Sequence, residues 1–279
     1  MSDNIVQWVD SLIKNKVSFI IPTINGREHD LNHNVRTIID DFEYLKSRDM
    51  IKEIDYEIVI VYDGCDRTLE HEILEKNTNI KEIFLKEKSG CVSIPRNIGI
   101  SHATGDIICP TDDDVHLLCK KWFMIKRFVE IRERDEKIKL IYGKREEFVR
   151  HKNGEYWYID KCRLIDFSRF LVNKKDVGLD NGQFVYSADI YKKIDPFFAI
   201  NACDWELYSR IGEHYDFDYF DHTVVNYIWH DGGAINISRT EKSKRVDPLK
   251  ILNKYICYFC ENGYTKKIKD IYSEAIKND

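Results

Sequence analysis

A chain of 279 residues with 43% hydrophobic and 13% aromatic side chains can bury a substantial core, which excludes a disordered or fibrous protein. Its formal net charge of −5 offers nucleic acid no overall attraction, so polyanion binding is not expected, although residues 242–245 form a local basic cluster. No stretch approaches the roughly 18 apolar residues of a membrane span, and the first sixteen residues lack the apolar centre of a secretory signal, so a cytoplasmic chain is expected.

In chain order, Val17-Ser-Phe-Ile-Ile-Pro22 is expected to form a buried strand halted by proline, with 23–27 as the loop behind it. Leu31, Val35, Ile38, Phe42 and Leu45 recur at spacings of four and three, the stripe of a helix packed on a sheet. A second strand, Tyr56-Glu-Ile-Val-Ile-Val-Tyr62, runs into Asp63-Gly64, so strand, helix and strand stand in the order of a parallel βαβ unit. A helix over 69–76, a strand over 81–85 and a helix opening near Pro95 and closing at Gly105 continue the alternation. Asp106-Ile-Ile-Cys109 then forms a short strand that leads into Asp112, Asp113 and Asp114.

Beyond this triplet, Trp122, Ile125, Phe128 and Val129 mark a helix and Lys139-Leu-Ile-Tyr142 a strand, whereas 145–177 shows no clean period and reads as irregular or short-stranded. Trp205, Tyr208 and Ile211 share a helical face, with Asp204 placed to cap it. The tail over 248–277 reads as helical, and no repeat or linker divides the chain. Residues 1–247 are therefore expected to be one α/β domain and 248–279 a helical C-terminal extension. The eight cysteines lie mostly singly among apolar neighbours, as reduced hydrophobes do. Cys257 and Cys260 have metal spacing but no second pair, and structural use is expected.

Three adjacent carboxylates repel one another, so the triplet is either a solvated acidic turn or a site for a divalent cation, whose charge converts repulsion into attraction. Open α/β sheets gather ligands beyond the carboxyl ends of their strands, and Thr23, Asp63 and the triplet each stand at such an end. Three polar strand ends can thus converge on one crevice.

Five segments in order resemble glycosyltransferase family 2, whose members have the GT-A fold. They are Val17-Ser-Phe-Ile-Ile-Pro-Thr-Ile-Asn25, Ile58-Val-Ile-Val-Tyr-Asp-Gly-Cys-Asp66, Pro95-Arg-Asn-Ile-Gly99, Ala103-Thr-Gly-Asp-Ile-Ile-Cys-Pro-Thr-Asp-Asp-Asp114 and Cys203-Asp-Trp-Glu-Leu207. The resemblance spans residues 17–207. It implies a Rossmann-like, mostly parallel central sheet flanked by helices. It also implies a nucleotide-sugar pocket with Pro22, Thr23, Asn25, Asp63, Arg96, Asp112 and Asp113. Asp63 would accept from the base, and the triplet would be the family's DxD signature, with Mn²⁺ or Mg²⁺ on Asp112 and Asp114. Thr111, Asp112 and Asp113 are the alternative register of that signature. The chain departs from the family pattern in having Tyr62 before Asp63 and Cys203 before Asp204, where acidic pairs are usual.

The expected chemistry is transfer of a sugar from a UDP- or GDP-linked donor to a glycan or other hydroxyl acceptor, by single displacement with inversion. A neutral alcohol is a poor nucleophile and needs a base, which the resemblance assigns to Asp204. Glu206 either orients the acceptor or pairs with Arg210 one turn on, and Trp205 either stacks on a sugar ring or is a buried aromatic. His230, in Trp229-His-Asp-Gly-Gly233, either completes the metal shell or belongs to a polar loop, and its two glycines would permit a lid. The segment 266–269 reads as a solvated helix face, with peripheral contact to anionic lipid as its alternative. The rival functions are a nucleotide-sugar phosphohydrolase and a noncatalytic nucleotide- or carbohydrate-binding protein. A nucleotidyltransferase lacks support, because the loop after the first strand holds a single glycine, Gly26.

Overall fold

The structure, a computed structural model, describes residues 3–150, 156–160, 181–198 and 203–230. The expected extension over 248–279, the boundary at 247, the Cys257 and Cys260 pair, Gly232-Gly233 and the basic segments at 242–245 and 266–269 lie outside these residues. The five described cysteines carry free thiols. No described helix is long and apolar enough to cross a membrane.

The chain runs α1 (Asp3–Asp10), β1 (Ile13–Thr23), α2 (Glu28–Lys46), β2 (Asp55–Asp63), α3 (His71–Lys76), β3 (Ile80–Leu85), α4 (Ser93–Ser101) and β4 (Gly105–Pro110). It continues with β5 (Val115–Leu117), α5 (Lys120–Arg134), β6 (Ile138–Arg150), β7 (Tyr156–Asp160), β8 (Phe184–Ser187), α6 (Cys203–His214) and β9 (Asp216–His230). A 3-10 turn, Asn181–Gln183, leads into β8. The sheet order is β3-β2-β1-β4-β8-β6-β9-β5, with β7 on β6. β3, β2, β1 and β4 are mutually parallel, and β6 and β9 pair in parallel further along, so most strands share one direction. β8 runs antiparallel between β4 and β6.

Alternation along the strands makes two cores. Val17, Phe19 and Ile21 of β1 face one side with Tyr56, Ile58 and Ile60 of β2, against the stripe Leu31, Val35, Ile38, Phe42 and Leu45 of α2 and Trp122, Ile125 and Phe128 of α5. Ile20, Val59, Val61 and Ile108 face the other, against Ile100 of α4 and Leu207, Tyr208 and Ile211 of α6. Strand residues buried on both faces are what a covered parallel sheet requires. This is the mixed α/β architecture expected from the sequence.

Several local expectations need correcting. β1 continues through Pro22 to Thr23, because its pairing with β4 ends at Ile20 and the missing N–H lies where β1 has a neighbour on one side only. Of the two forms expected for 145–177, the described part takes the stranded one: it opens as an extension of β6, which bends through register shifts between Gly143 and Arg145 and pairs with β7. α6 begins at Cys203, so Asp204 lies inside its first turn and is not its N-cap.

At the opposite end of the sheet from the polar strand ends, Glu57 is buried as a staple. Its Oε1 accepts from Ser18 Oγ at 2.6 Å and from the Thr104 N–H at 2.5 Å, and its Oε2 accepts from Thr104 Oγ1 at 2.9 Å. Gly105 passes so close to β1 that a Cβ there would sit 2.3 Å from the Lys16 carbonyl oxygen.

Candidate functional site

Because β1, β2 and β4 are parallel, their carboxyl ends lie along one edge, and Thr23, Asp63 and the Asp112–Asp114 triplet meet there. Thr23 Oγ1 donates to Asp113 Oδ2 at 2.8 Å, a buried bond that ties the end of β1 to the triplet. The triplet turns through a Val115 N–H bond to the Asp112 carbonyl, and Asn34 of α2 donates to that same carbonyl at 3.3 Å. Asn34 Oδ1 also accepts from the Leu117 N–H, so α2 fixes the backbone on both sides of the triplet.

Two buried arginines face the three carboxylates. Arg27, 4% exposed, places Nη2 3.0 Å from Asp114 Oδ2 and Nε 3.9 Å from Asp113 Oδ1. Arg96 of α4 donates from Nη2 to Asp112 Oδ1 and from Nη1 to Cys203 Sγ at 3.3 Å. The Asn181 amide oxygen, turned toward the guanidinium donors, accepts from Arg96 Nη1 at 3.1 Å and Nη2 at 2.6 Å, while its nitrogen donates to the Tyr208 hydroxyl at 2.8 Å. The opposite orientation would set N–H donors against N–H donors.

Three carboxylates against two guanidiniums leave an excess of negative charge. Burial, then the neighbouring Asp114 charge, pushes the Asp113 carboxyl well above the ordinary range, with Arg27 and Thr23 opposing. Burial also raises Asp114 to about 6, where Asp112 repulsion adds to it and Arg27 works against it. Oxygen donors carrying uncompensated charge fit a hard cation that accepts one or two protein carboxylates and completes its shell with diphosphate and water. Among the described residues no three acidic, histidine or cysteine groups are arranged to hold a metal by themselves. Asp112, with 24% of its side chain exposed, is the most open of the three.

Asp63 ends β2 with both oxygens engaged by Ser89, Oδ1 accepting from the backbone N–H at 2.7 Å and Oδ2 from Oγ at 2.9 Å. Gly64 beside it has φ +64, and a Cβ there would meet the Lys88 nitrogen at 2.3 Å, so the loop that carries Ser89 can close over Asp63 only past a glycine. Pro22 is buried and Asn25 is exposed at the rim of the loop after β1. Asp204 is partly exposed and acts electrostatically on Arg96 and Cys203. Burial foremost pushes the Cys203 thiol up to about 12, so it faces Arg96 as a neutral group.

Glu206 is held apart from this cluster. It is buried and takes a bidentate bond from Arg210, whose Nη2 donates to Glu206 Oε2 at 2.7 Å and to the Pro196 carbonyl at 2.9 Å. Of the two roles expected for Glu206, the pairing with Arg210 is present, as a core contact. His230 is the last residue of β9, its backbone opposite Arg150, and the side chains of His230 and Trp205 lie outside the described residues. Sequence reasoning missed Arg27 and Asn34, since nothing local marks a loop arginine or a helix asparagine whose carboxylate or carbonyl partner comes from after β4.

A sequence profile described as glycosyl transferase family 2 matches residues 18–178, more than half of the chain. The chain belongs to that family. No curated relative matches it. Among solved structures, this family 2 chain is similar to S. aureus TarS 1-349, with 19% identity and a TM-score of 0.55 over 76% of this chain and 60% of TarS 1-349. TarS 1-349 in complex with UDP gives 17% identity and 0.62, over 94% of this chain and 71% of that one. The UDP-GlcNAc complex gives 16% identity and 0.62, over 94% and 72%. At such identities the likeness is one of fold. It agrees with a family 2, GT-A arrangement of the sheet.

Proposed function

We propose that this family 2 glycosyltransferase moves a sugar from a UDP- or GDP-linked donor to an acceptor hydroxyl by single displacement with inversion. The observation that carries the reading is the buried, charge-excess triplet at the end of β4, joined to the end of β1 by the Thr23 bond and flanked by Asp63 at the end of β2. The UDP and UDP-GlcNAc complexes of TarS support a nucleotide-sugar donor.

In this mechanism Asp63 takes a hydrogen bond from the base, and Pro22, Thr23 and Asn25 line the nucleoside side of the crevice. Arg96 aims Asp112, and Asp113 stays tied to Thr23. Asp112 and Asp114 would hold Mn²⁺ or Mg²⁺, which when bound supplies Lewis-acid neutralisation of a departing diphosphate. His230 is a further candidate for the same shell. The acceptor oxygen forms a bond to the anomeric carbon while the bond from that carbon to the phosphate oxygen breaks, its electron pair leaving with the nucleoside diphosphate. Asp204 receives the acceptor proton, and Glu206, through Arg210, holds the helix that presents Asp204.

The test begins with thermal shifts over a panel of nucleotide sugars with Mn²⁺, then follows transfer and the anomeric configuration of the product by NMR. Asp204→Asn keeps size and polarity but removes the base, so nucleotide affinity should persist while transfer falls by roughly 10² to 10⁴. Donor binding with no transfer to any hydroxyl would identify a binding protein, and donor breakdown independent of acceptor a phosphohydrolase.

A further inference from the structure

The turn Asn181–Gln183 is fully buried although all three of its residues are polar or glycine. Polar backbone without solvent must be fixed by partners, and here they come from four elements. Lys121 of α5, 1% exposed, donates from Nζ to the carbonyls of Gly182 at 2.6 Å and Phe184 at 3.0 Å. Gln183 donates to the Gly143 carbonyl of β6 at 3.0 Å. Asn181 donates to Tyr208 of α6 and accepts twice from Arg96 of α4. Lys121 also acts on the Cys109 thiol of β4, and burying a lysine is a costly way to hold a turn that serves only packing.

What the turn presents is one amide oxygen, spanning the two terminal nitrogens of Arg96. A guanidinium is planar, so fixing one edge fixes the direction of the other donors. Nη2, one of the two nitrogens that Asn181 holds, also donates to Asp112 Oδ1. We infer that Asn181 is a positioning residue for Asp112, acting through Arg96, and that Lys121 sets the turn from which Asn181 acts. This rests on the reading of Asp112 as part of the donor site. It makes α5 and the entry to β8 part of the machinery that orients the diphosphate end of the donor, although neither touches it.

The experiment compares full-length wild type with Asn181→Asp and Lys121→Met. Asn181→Asp is isosteric and sets a carboxylate in competition with Asp112 for Arg96, while Lys121→Met keeps the buried volume and loses the two carbonyl bonds. Two readouts are taken: UDP affinity with Mn²⁺ by calorimetry, and the guanidinium ¹H–¹⁵N signals of Arg96, assigned by their loss in Arg96→Lys. Both variants should weaken UDP binding about tenfold, the scale of one misdirected charged hydrogen bond, and shift the Arg96 signals. A role in packing alone predicts a lower melting temperature with unchanged affinity per folded molecule. Affinity within about twofold of wild type in both variants, or unshifted Arg96 signals, overturns the inference. If wild type itself binds neither UDP nor GDP, the donor reading falls and the Arg96 signals alone decide, a shift supporting the coupling and its absence ending it.

Discussion

At the residue scale, the charges of the triplet set stability against function. Asp114 has a carboxyl raised to about 6, foremost by burial, so the folded chain holds that proton more tightly than the unfolded chain does. Ionising it therefore costs stability. The cost is absent below the ordinary aspartate value of about 3.9, grows as pH rises toward 6 and is constant above. Asp114→Asn, which resembles the protonated form, should raise the melting temperature by roughly 2–6 °C at pH 7.5 and lose that gain by pH 4. The same variant should weaken UDP binding in Mn²⁺, as calorimetry would read. A purely structural role for the buried Asp114 predicts the stability change alone, without the loss of UDP affinity. Thr23, Asp63 and the triplet were legible in the sequence because each follows an apolar run that marks a strand end. Arg27, Asn34 and Lys121 were not, because their partners arrive from elements 61 or more residues away, and a single polar residue in a loop or helix carries no period.

At the element scale, the far end of the sheet shows how tightly β1, β2 and β4 are joined. Burial alone would raise Glu57, but the hydrogen bonds from Ser18 and Thr104, with Lys16 nearby, outweigh it and hold the carboxyl below its usual value. A depressed carboxyl contributes stability that is present above the unfolded value of about 4.3 and is lost as pH falls through the folded one. Glu57→Gln should therefore lower unfolding free energy by about 1–3 kcal/mol at pH 7, and by less in denaturant titrations near pH 3.5. Gly105→Ala should cost about 1–3 kcal/mol at either pH, since the clash with the Lys16 carbonyl is steric. The elements that position this staple were readable: the β1, β2 and β4 runs are apolar and the α2 stripe is regular. β9 was not. Asp216, Asp218, Asp221 and His222 look like loop residues, since aspartate is poorly suited to strands, and the pairing of this stretch with β6 overrides that preference. The extension of β6 past residue 145 was hidden in the same way, by charged residues on a strand that pairs on both sides.

At the scale of the whole molecule, strands β1, β2 and β4 deliver their ends to one edge, while α4, α5, α6 and the turn before β8 brace that edge from behind. A ligand bound only by the assembled edge stabilises the whole fold by mass action. UDP with Mn²⁺ at a hundred times its dissociation constant should add about 2.7 kcal/mol, or roughly 5–10 °C in melting temperature. EDTA should reduce that gain if the cation is shared between protein and diphosphate, and equal gains with and without it would remove the cation from the reading. The overall class was legible from the alternation of strand and helix, and the family from five short segments spread over 190 residues. How the edge is braced was not, because bracing is a property of which elements become neighbours.

The pairing of Arg96 with Asp112 and of Arg27 with Asp114 has a consequence for how the protein is made and kept. A site whose counter-charges are supplied by the same chain need not wait for an ion before it can fold. Newly synthesised protein in a metal-poor medium should reach its native state, and protein stripped by a chelator should remain folded, storable and ready to be reloaded.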